Sequence, residues 1–557
     1  MGRGRTTVVA AFLLLAACTG VIGDAAPGVD AAAPVASAAT ASSVPIRRLR
    51  RLSNREYNNV VRDLLGDTTQ PANLFIPDSY SNGYDNGSAG LAVQSDQVAS
   101  YQAAGEALAA AAVSNNMNLL LGGCDVTRQG QAACLESMLA TFAPRAYRRP
   151  LTTTEAARLR DAFQVGAQTT GGFDAGVQTV LEVILQSPQF LYREELGPPV
   201  TVSGSVPAAG TDVRMTDYEV ASELSFLLTG SIPDAPLWSA VQRGQFHQLA
   251  DYRREATRLL ATPGARDAMR AFLHEWMATD RLVSLTKDAT FYPSFSPAMA
   301  ASMHAELDAF FDDILWSGSG SLQELFTSNR SFADPTLATL YGVKAVGSGL
   351  QPVTLDPVLR RGILSRAGYL AVHSDVDSSG PIARGVFALQ SILCTPPPPP
   401  PANVPPATPA NDPTVQKLTT RQRFGEHVAS SFCATCHTAI DGVGFGFEEF
   451  DGIGAYRTSE NGLPVDSSGT ILGTGEIDGP YKGVSELAPK VAASRHLAGC
   501  YLRQAYRYAM GDIEPAGGGV LDALEASFSP DTRITDALLS MVSTSMFVTR
   551  VSETPSP

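Results

Sequence analysis

Residues 49–67 read LRRLSNREYNNVVRDLLGD. Ser53-x-x-Glu56 has the spacing of a capping box, in which the hydroxyl accepts an orphan helix amide and the carboxylate reaches back to the cap's own amide. Tyr57, Val60, Val61, Leu64 and Leu65 follow at the spacing of one helix face. Thr152-x-x-Glu155, Thr216-x-x-Glu219 and Thr419-x-x-Gln422 repeat the signature, the third leading into Tyr218, Val220, Leu224, Leu227 and Leu228. Ser296 to Trp316, with Pro297 at a favoured first helical position, reads as another long amphipathic helix. Alternating strand patterns are scarce, apart from a Gly-rich stretch at 463–479 that fits a small β-ribbon. The expected fold is mainly α.

With 557 residues, 44% hydrophobic, the chain is too long for one compact core and allows three to five modules. The 23 Phe, 16 Tyr and 3 Trp exclude wholesale disorder. A net charge of −14, with Lys only at 287, 344, 417, 482 and 490, argues against a nucleic-acid groove or an anionic-membrane patch. Boundaries fall at 113–134, at the Pro/Gly/Ser-rich 197–212, and at 395–412, where six prolines (396–401) follow Thr395. A polyproline II run of six rises roughly 19 Å and is read as a rigid strut in preference to an SH3-type ligand. No internal repeat is visible.

The N-terminus reads MGRGRTTVVAAFLLLAACTG: Arg3 and Arg5 precede an apolar stretch from Val8 to Ala17 that is too short to span a bilayer. Leu15-Ala16-Ala17-Cys18 resembles a bacterial lipobox, with Cys18 as the lipidated residue. Residues 19–45, rich in Ala, Pro, Ser, Gly and Val, form a tether. The expectation is an exported protein of the bacterial cell envelope, bound to a membrane through its lipid alone.

Residues 433–437 read Cys-Ala-Thr-Cys-His. C-x-x-C-H is the attachment sequence of c-type haem: two thiols form thioethers with the porphyrin vinyls and the adjacent histidine coordinates iron. With seven Cys and seven His in the chain, chance would produce one such pentapeptide on the order of once in a thousand chains. Cys433 and Cys436 are therefore read as haem attachment points and His437 as the proximal iron ligand. Two other uses of the motif stay open. Zinc could be held by Cys433, Cys436, His496 and Cys500, and a thioredoxin-like pair is the third reading, although it lacks a βαβ context. The following IDGVGFGFEEFDGIGAYR (440–457) offers Phe445, Phe447 and Phe450 as an apolar wall and Arg457 for a haem propionate. Glu448, Asp451 and Arg457 could equally serve only to hold that loop together.

The run from His427 through CATCH to FEEFDGIGAYR resembles the cytochrome-like module of the planctomycete PSD/PSCyt proteins, also found in myxobacteria. LRRLSNREYNNVVRDLLGD (49–67), FAPRAYRRPLTTTEAARL (142–159), and ILQSPQFLYREE (184–195) with the helices of 215–340 resemble its companion modules in their usual order. RRGILSRAGYLAVHSDVDSSGPIARG (360–385) resembles the opening of the cytochrome-like module, and LAGCYLRQAYRYAMGDIEP (497–515) the closing one. The division that follows is a signal peptide (1–17), a tether (18–45), helical modules at 46–112, 135–196 and 213–345, a cytochrome c-like module at 357–458, and a C-terminal module at 463–550. The family's Asp-Pro after the haem motif is Asp441-Gly442 here, which predicts a looser turn. The resemblance implies an exported haem c protein and supplies no reaction, since these modules are largely of unknown function.

For the distal iron position the candidates are Met510, which would raise the potential, His427, His373 or His496, and an open site suited to peroxide or small gases. The family pattern often has an aliphatic residue at the place of Met510. His247, His274 and His304 read as surface or packing histidines, with no metal pattern around them. Cys124 and Cys134 enclose nine residues, and a disulfide there would stabilise by about 2.8 kcal/mol in the loop-entropy model. Cys394 and Cys500 remain, and a bridge between them would tie the start of the strut to the final helical module. The favoured function is electron transfer, or the redox part of an exported oxidoreductase, with a redox partner protein or a small oxidant as the other party. A haem-free surface scaffold binding glycan or protein, with zinc or a disulfide at the CxxC, and a haem peroxidase are the alternatives.

Overall fold

The computed structural model describes residues 47–197, 211–399, 412, 417–425, 431–515 and 519–551. Cys18, the signal and tether segments, His427 and the last two prolines of the strut lie outside the described residues. The fold is mainly α, and the strands described form five two-stranded antiparallel ribbons. Two of these overlap the Gly-rich stretch and extend past both its ends: Ser459–Glu460 pairs with Leu463–Pro464, and Ser468–Ile471 with Gly479–Lys482.

All four capping boxes form. Ser53 Oγ accepts from the Glu56 amide at 3.3 Å, and the Glu56 carboxylate takes the Ser53 amide at 3.0 Å, starting the Asn54–Leu65 helix. Thr152 with Glu155, Thr216 with Glu219 and Thr419 with Gln422 do the same for Thr153–Ala167, Asp217–Thr229 and Thr420–Phe424. Each such cap is worth about 1 kcal/mol. Ser296 caps Pro297–Asp312 through the Met299 amide at 3.2 Å.

The sequence segments share two continuous hydrophobic cores. The first gathers Tyr57, Val60, Val61, Leu108, Met138, Phe142, Val180 and Phe190 from helices between residues 54 and 191, with Phe226 and Ile232 from the next segment. The second runs from Met215 to Val548 and also takes in Tyr84. A buried ionic cluster joins widely separated segments. Arg50 reaches Glu195 at 3.3 Å and Glu223 at 3.1 Å, Arg47 reaches Glu195 at 3.1 Å, and Arg193 contacts both Glu56 and Glu223. Removing one partner from such a cluster strands a buried charge, at a cost of about 3–5 kcal/mol.

Two disulfides add covalent ties, Cys124–Cys134 and Cys394–Cys500, each with Cα atoms 5.3 Å apart. The second fastens the segment after Pro381–Phe387 to the Arg495–Met510 helix.

Candidate functional site

The CATCH residues lie on the Ser431–Gly444 helix, which packs against Pro381–Phe387 and against the strand Ser468–Ile471. Glycines set these approaches. A Cβ on Gly444 would stand 2.0 Å from the Pro381 carbonyl oxygen, and one on Gly385 would stand 2.3 Å from that of Ile440. The two helix backbones therefore touch directly, and any larger residue at either position forces them apart. At Gly442 a Cβ would meet the Thr470 carbonyl oxygen at 2.5 Å. The Asp441-Gly442 pair is thus inside a continuous helix, pressed on the ribbon, and the looser turn expected from the missing proline does not exist.

Cys433 and Cys436 sit one turn apart on this helix, half-buried and unbridged, while Cys124, Cys134, Cys394 and Cys500 are all in disulfides. His437 follows, with Nδ1 3.0 Å from Asp441 Oδ1 one turn further on. Asp441 is buried, and desolvation raises its pKa although the His437 hydrogen bond pulls the other way. When His437 donates Nδ1–H to this carboxylate, the ring is fixed and the lone pair is on Nε2, the nitrogen a metal would use. The second Asp441 oxygen is buried without a hydrogen-bond partner. Two unbridged thiols one turn apart and an imidazole oriented by a carboxylate make a donor set that fits covalent haem.

The loop after the motif is organised differently from the apolar wall that its composition suggests. Arg384, fully buried, donates to the carbonyls of Phe447 at 3.2 Å, Phe450 at 2.9 Å, Asp451 at 2.7 Å and Leu370 at 3.1 Å. Burial pushes its pKa down to about 10. Phe447 and Phe450 are fully buried in the second core, and Phe445 lies under the Arg421 guanidinium at 4.6 Å. Arg457 holds Glu448 at 3.0 Å and Glu460 at 2.9 Å. Asp451 accepts the amides of Ile453 and Ala455 at 2.9 and 2.8 Å. Arg457, Glu448 and Asp451 are thus engaged in holding the loop. Arg384 had no local signal in the sequence, because its partners are backbone oxygens more than sixty residues away for all but Leu370.

The remaining ligand candidates are dispersed. Met510 is buried at the end of Arg495–Met510, where the carbonyls of Tyr508, Ala509 and Gly511 meet Asn86, Arg50 and Ser88 of the N-terminal segment. His373 is buried, its Nε2 2.9 Å from the Met277 carbonyl and its ring 3.9 Å from that of Phe387, and burial pushes its pKa down to about 3. His496 Nε2 lies 2.7 Å from the Thr474 carbonyl. The four-ligand zinc set of Cys433, Cys436, His496 and Cys500 is not assembled, because the Cys500 sulfur is bonded to Cys394. None of the described helices is long and apolar enough to cross a membrane.

Four family profiles match the chain, each described as a protein of unknown function: PSD3 (DUF1587) over residues 50–114, PSD5 (DUF1595) over 134–195, PSD4 (DUF1592) over 215–343 and PSCyt3 (DUF1588) over 360–460. No curated protein and no solved structure matches. The CATCH helix, its ribbon contact and the loop built on Arg384 fall within or directly beside the PSCyt3 match, and the three PSD matches precede it in order; the chain belongs to the planctomycete cytochrome c-like multi-module family.

Proposed function

We propose that this chain is an exported, lipid-anchored c-type haem protein that transfers electrons or forms the redox part of an exported oxidoreductase. Cys433 and Cys436 would hold the porphyrin as thioethers, His437 would offer Nε2 to the iron, and Cys18 would carry the lipid. The observation that carries the reading is the fate of the cysteines: among those described, four are bridged, and the two of the CxxCH motif are unbridged beside an imidazole aligned by Asp441. Bound haem would supply a one-electron Fe(III)/Fe(II) couple. Asp441 contributes by holding the His437 ring and raising its basicity, and the glycine contacts at 385 and 444 keep the helix seated against its neighbour.

The reading is tested on protein exported from a host with a haem-attachment system. Visible spectra are taken oxidised, reduced and with carbon monoxide. Haem bands that shift with reductant support it, and the response to carbon monoxide tells a filled sixth position from an open one. A chain without haem bands after export sinks the proposal in favour of a haem-free scaffold. Accumulation of a precursor under globomycin tests the Cys18 anchor separately.

A further inference from the structure

Away from the CATCH helix, two of the histidines expected to be ordinary packing residues come together. His274 is near the end of the Pro263–Trp276 helix, and His304 and Asp308 share one face of Pro297–Asp312 at i and i+4. Their rings stack with centroids 4.3 Å apart and planes within 8°. Asp308 lies between them: Oδ1 is 3.1 Å from His274 Nε2, and Oδ2 is 3.5 Å from His304 Nδ1. The three donor atoms all lie within 4.8 Å of one another.

We propose that His274 Nε2, His304 Nδ1 and the Asp308 carboxylate form a binding site for a divalent first-row transition metal such as zinc(II). Ligands about 2.0–2.1 Å from a tetrahedral zinc stand roughly 3.3 Å apart; each imidazole has one carboxylate oxygen near that distance, at 3.1 and 3.5 Å, and small side-chain rotations would bring the three donors onto one ion. Two imidazoles with one carboxylate are a borderline donor set suited to zinc and its neighbours and poorly suited to calcium or magnesium.

The surroundings support the same assignment. His274 Nδ1 is 2.8 Å from Thr279 Oγ1, and that hydroxyl is 3.4 Å from the His274 carbonyl, to which it can donate. With a metal on Nε2, Thr279 Oγ1 is placed to accept Nδ1–H and fix the ring. In the metal-free chain Nε2–H can donate to the carboxylate, and a bound metal would take the place of that proton between the two groups. Phe311 stands edge-on to His274 at 5.1 Å and closes the inner side. The His304 and Asp308 side chains are 31% and 36% exposed, which gives an ion a route in and leaves a coordination position for water. Arg270, whose charge also acts on Asp308, is engaged by Asp312 with Nε at 2.8 Å. The proposal is independent of haem, because it uses no residue of the cytochrome-like module.

The full chain, stripped with a chelator and desalted, is titrated calorimetrically with ZnCl2, and its metal content is measured after gel filtration. One zinc per chain is expected. His304→Ala should abolish it, Thr279→Val, which removes the hydroxyl beside His274 Nδ1, should cost about 10–100-fold in affinity, and Asp308→Asn, which preserves shape, should cost at least as much. Cys433→Ser with Cys436→Ser should leave binding unchanged. Circular dichroism checks each fold, and Asp308→Asn carries the test if His304→Ala is misfolded. Zinc retained in folded Asp308→Asn at wild-type affinity, zinc lost in the double cysteine variant, or no zinc bound by the wild-type chain overturns the assignment.

Discussion

The chain contains the same local pair twice. His437 and Asp441 on one helix, and His304 and Asp308 on another, are each four residues apart, with Nδ1 facing a carboxylate oxygen at 3.0 and 3.5 Å. Their surroundings differ. Asp441 is buried, and desolvation lifts its pKa above the ordinary carboxylate range. Asp308 is also lifted by burial, but the hydrogen bonds from His274 and His304 outweigh this and hold it well below that range. At the first pair the histidine directly follows the two motif thiols in sequence, and the carboxylate is placed to aim it. At the second the neighbour is another histidine, so the carboxylate is itself in a position to bind. An i,i+4 His-Asp pair thus has no fixed role, and its tertiary neighbours decide between positioning and ligation.

The largest expected effect comes from removing what distinguishes the first pair. Cys433→Ser with Cys436→Ser should eliminate covalent haem as read by haem staining on a denaturing gel, with the fold retained by circular dichroism. Staining equal to wild type would show that the cofactor is attached elsewhere.

A smaller effect is expected from the scaffold that seats the CATCH helix. Cys394→Ser with Cys500→Ser opens a loop of sequence separation 106, a loss of about 4.7 kcal/mol in the loop-entropy model, to be read from urea unfolding. The corresponding change at Cys124 and Cys134 should cost less, about 2.8 kcal/mol. A reversed order would mean that the native contacts around Cys394 hold without the bridge.

His373 sharpens the comparison as an imidazole whose Nε2 faces the Met277 carbonyl and whose pKa is pushed to about 3 by burial. Its unfolded value is about 6.5. Between these values the unfolded chain binds the extra proton, so this residue's contribution to stability is complete above about pH 6.5 and is lost as pH falls toward 3. His373→Gln, which can still donate to Met277, should flatten the pH dependence of unfolding in that window. An unchanged slope would remove His373 as the acid-sensitive group.

The smallest effect is expected from Asp441→Asn. Haem should remain attached, and the reduction potential should rise, because a less basic imidazole donates less to Fe(III). A potential that does not move would mean that Asp441 only packs.

How much the sequence revealed depended on how local each feature is. A capping box is complete within four residues, so Ser53–Glu56 and its three counterparts were legible, and CATCH is complete within five. The Gly442 contact with Thr470 was not, because a glycine after an aspartate reads as a turn until the ribbon is known to lie against it. Phe447, read as a possible haem wall, is held in the core by a loop whose shape depends on distant Arg384. The pairing of His274 with His304 required knowing that two helices cross there, and neither helix carries a recognised metal spacing by itself.

The central claim is that Cys433, Cys436 and His437 hold haem c, and it is tested most directly by the alkaline pyridine haemochrome spectrum of the exported full chain. The account predicts the haem c spectrum at one haem per chain, with the haem retained through acid–acetone extraction. Absence of that spectrum in correctly exported, folded protein would contradict it.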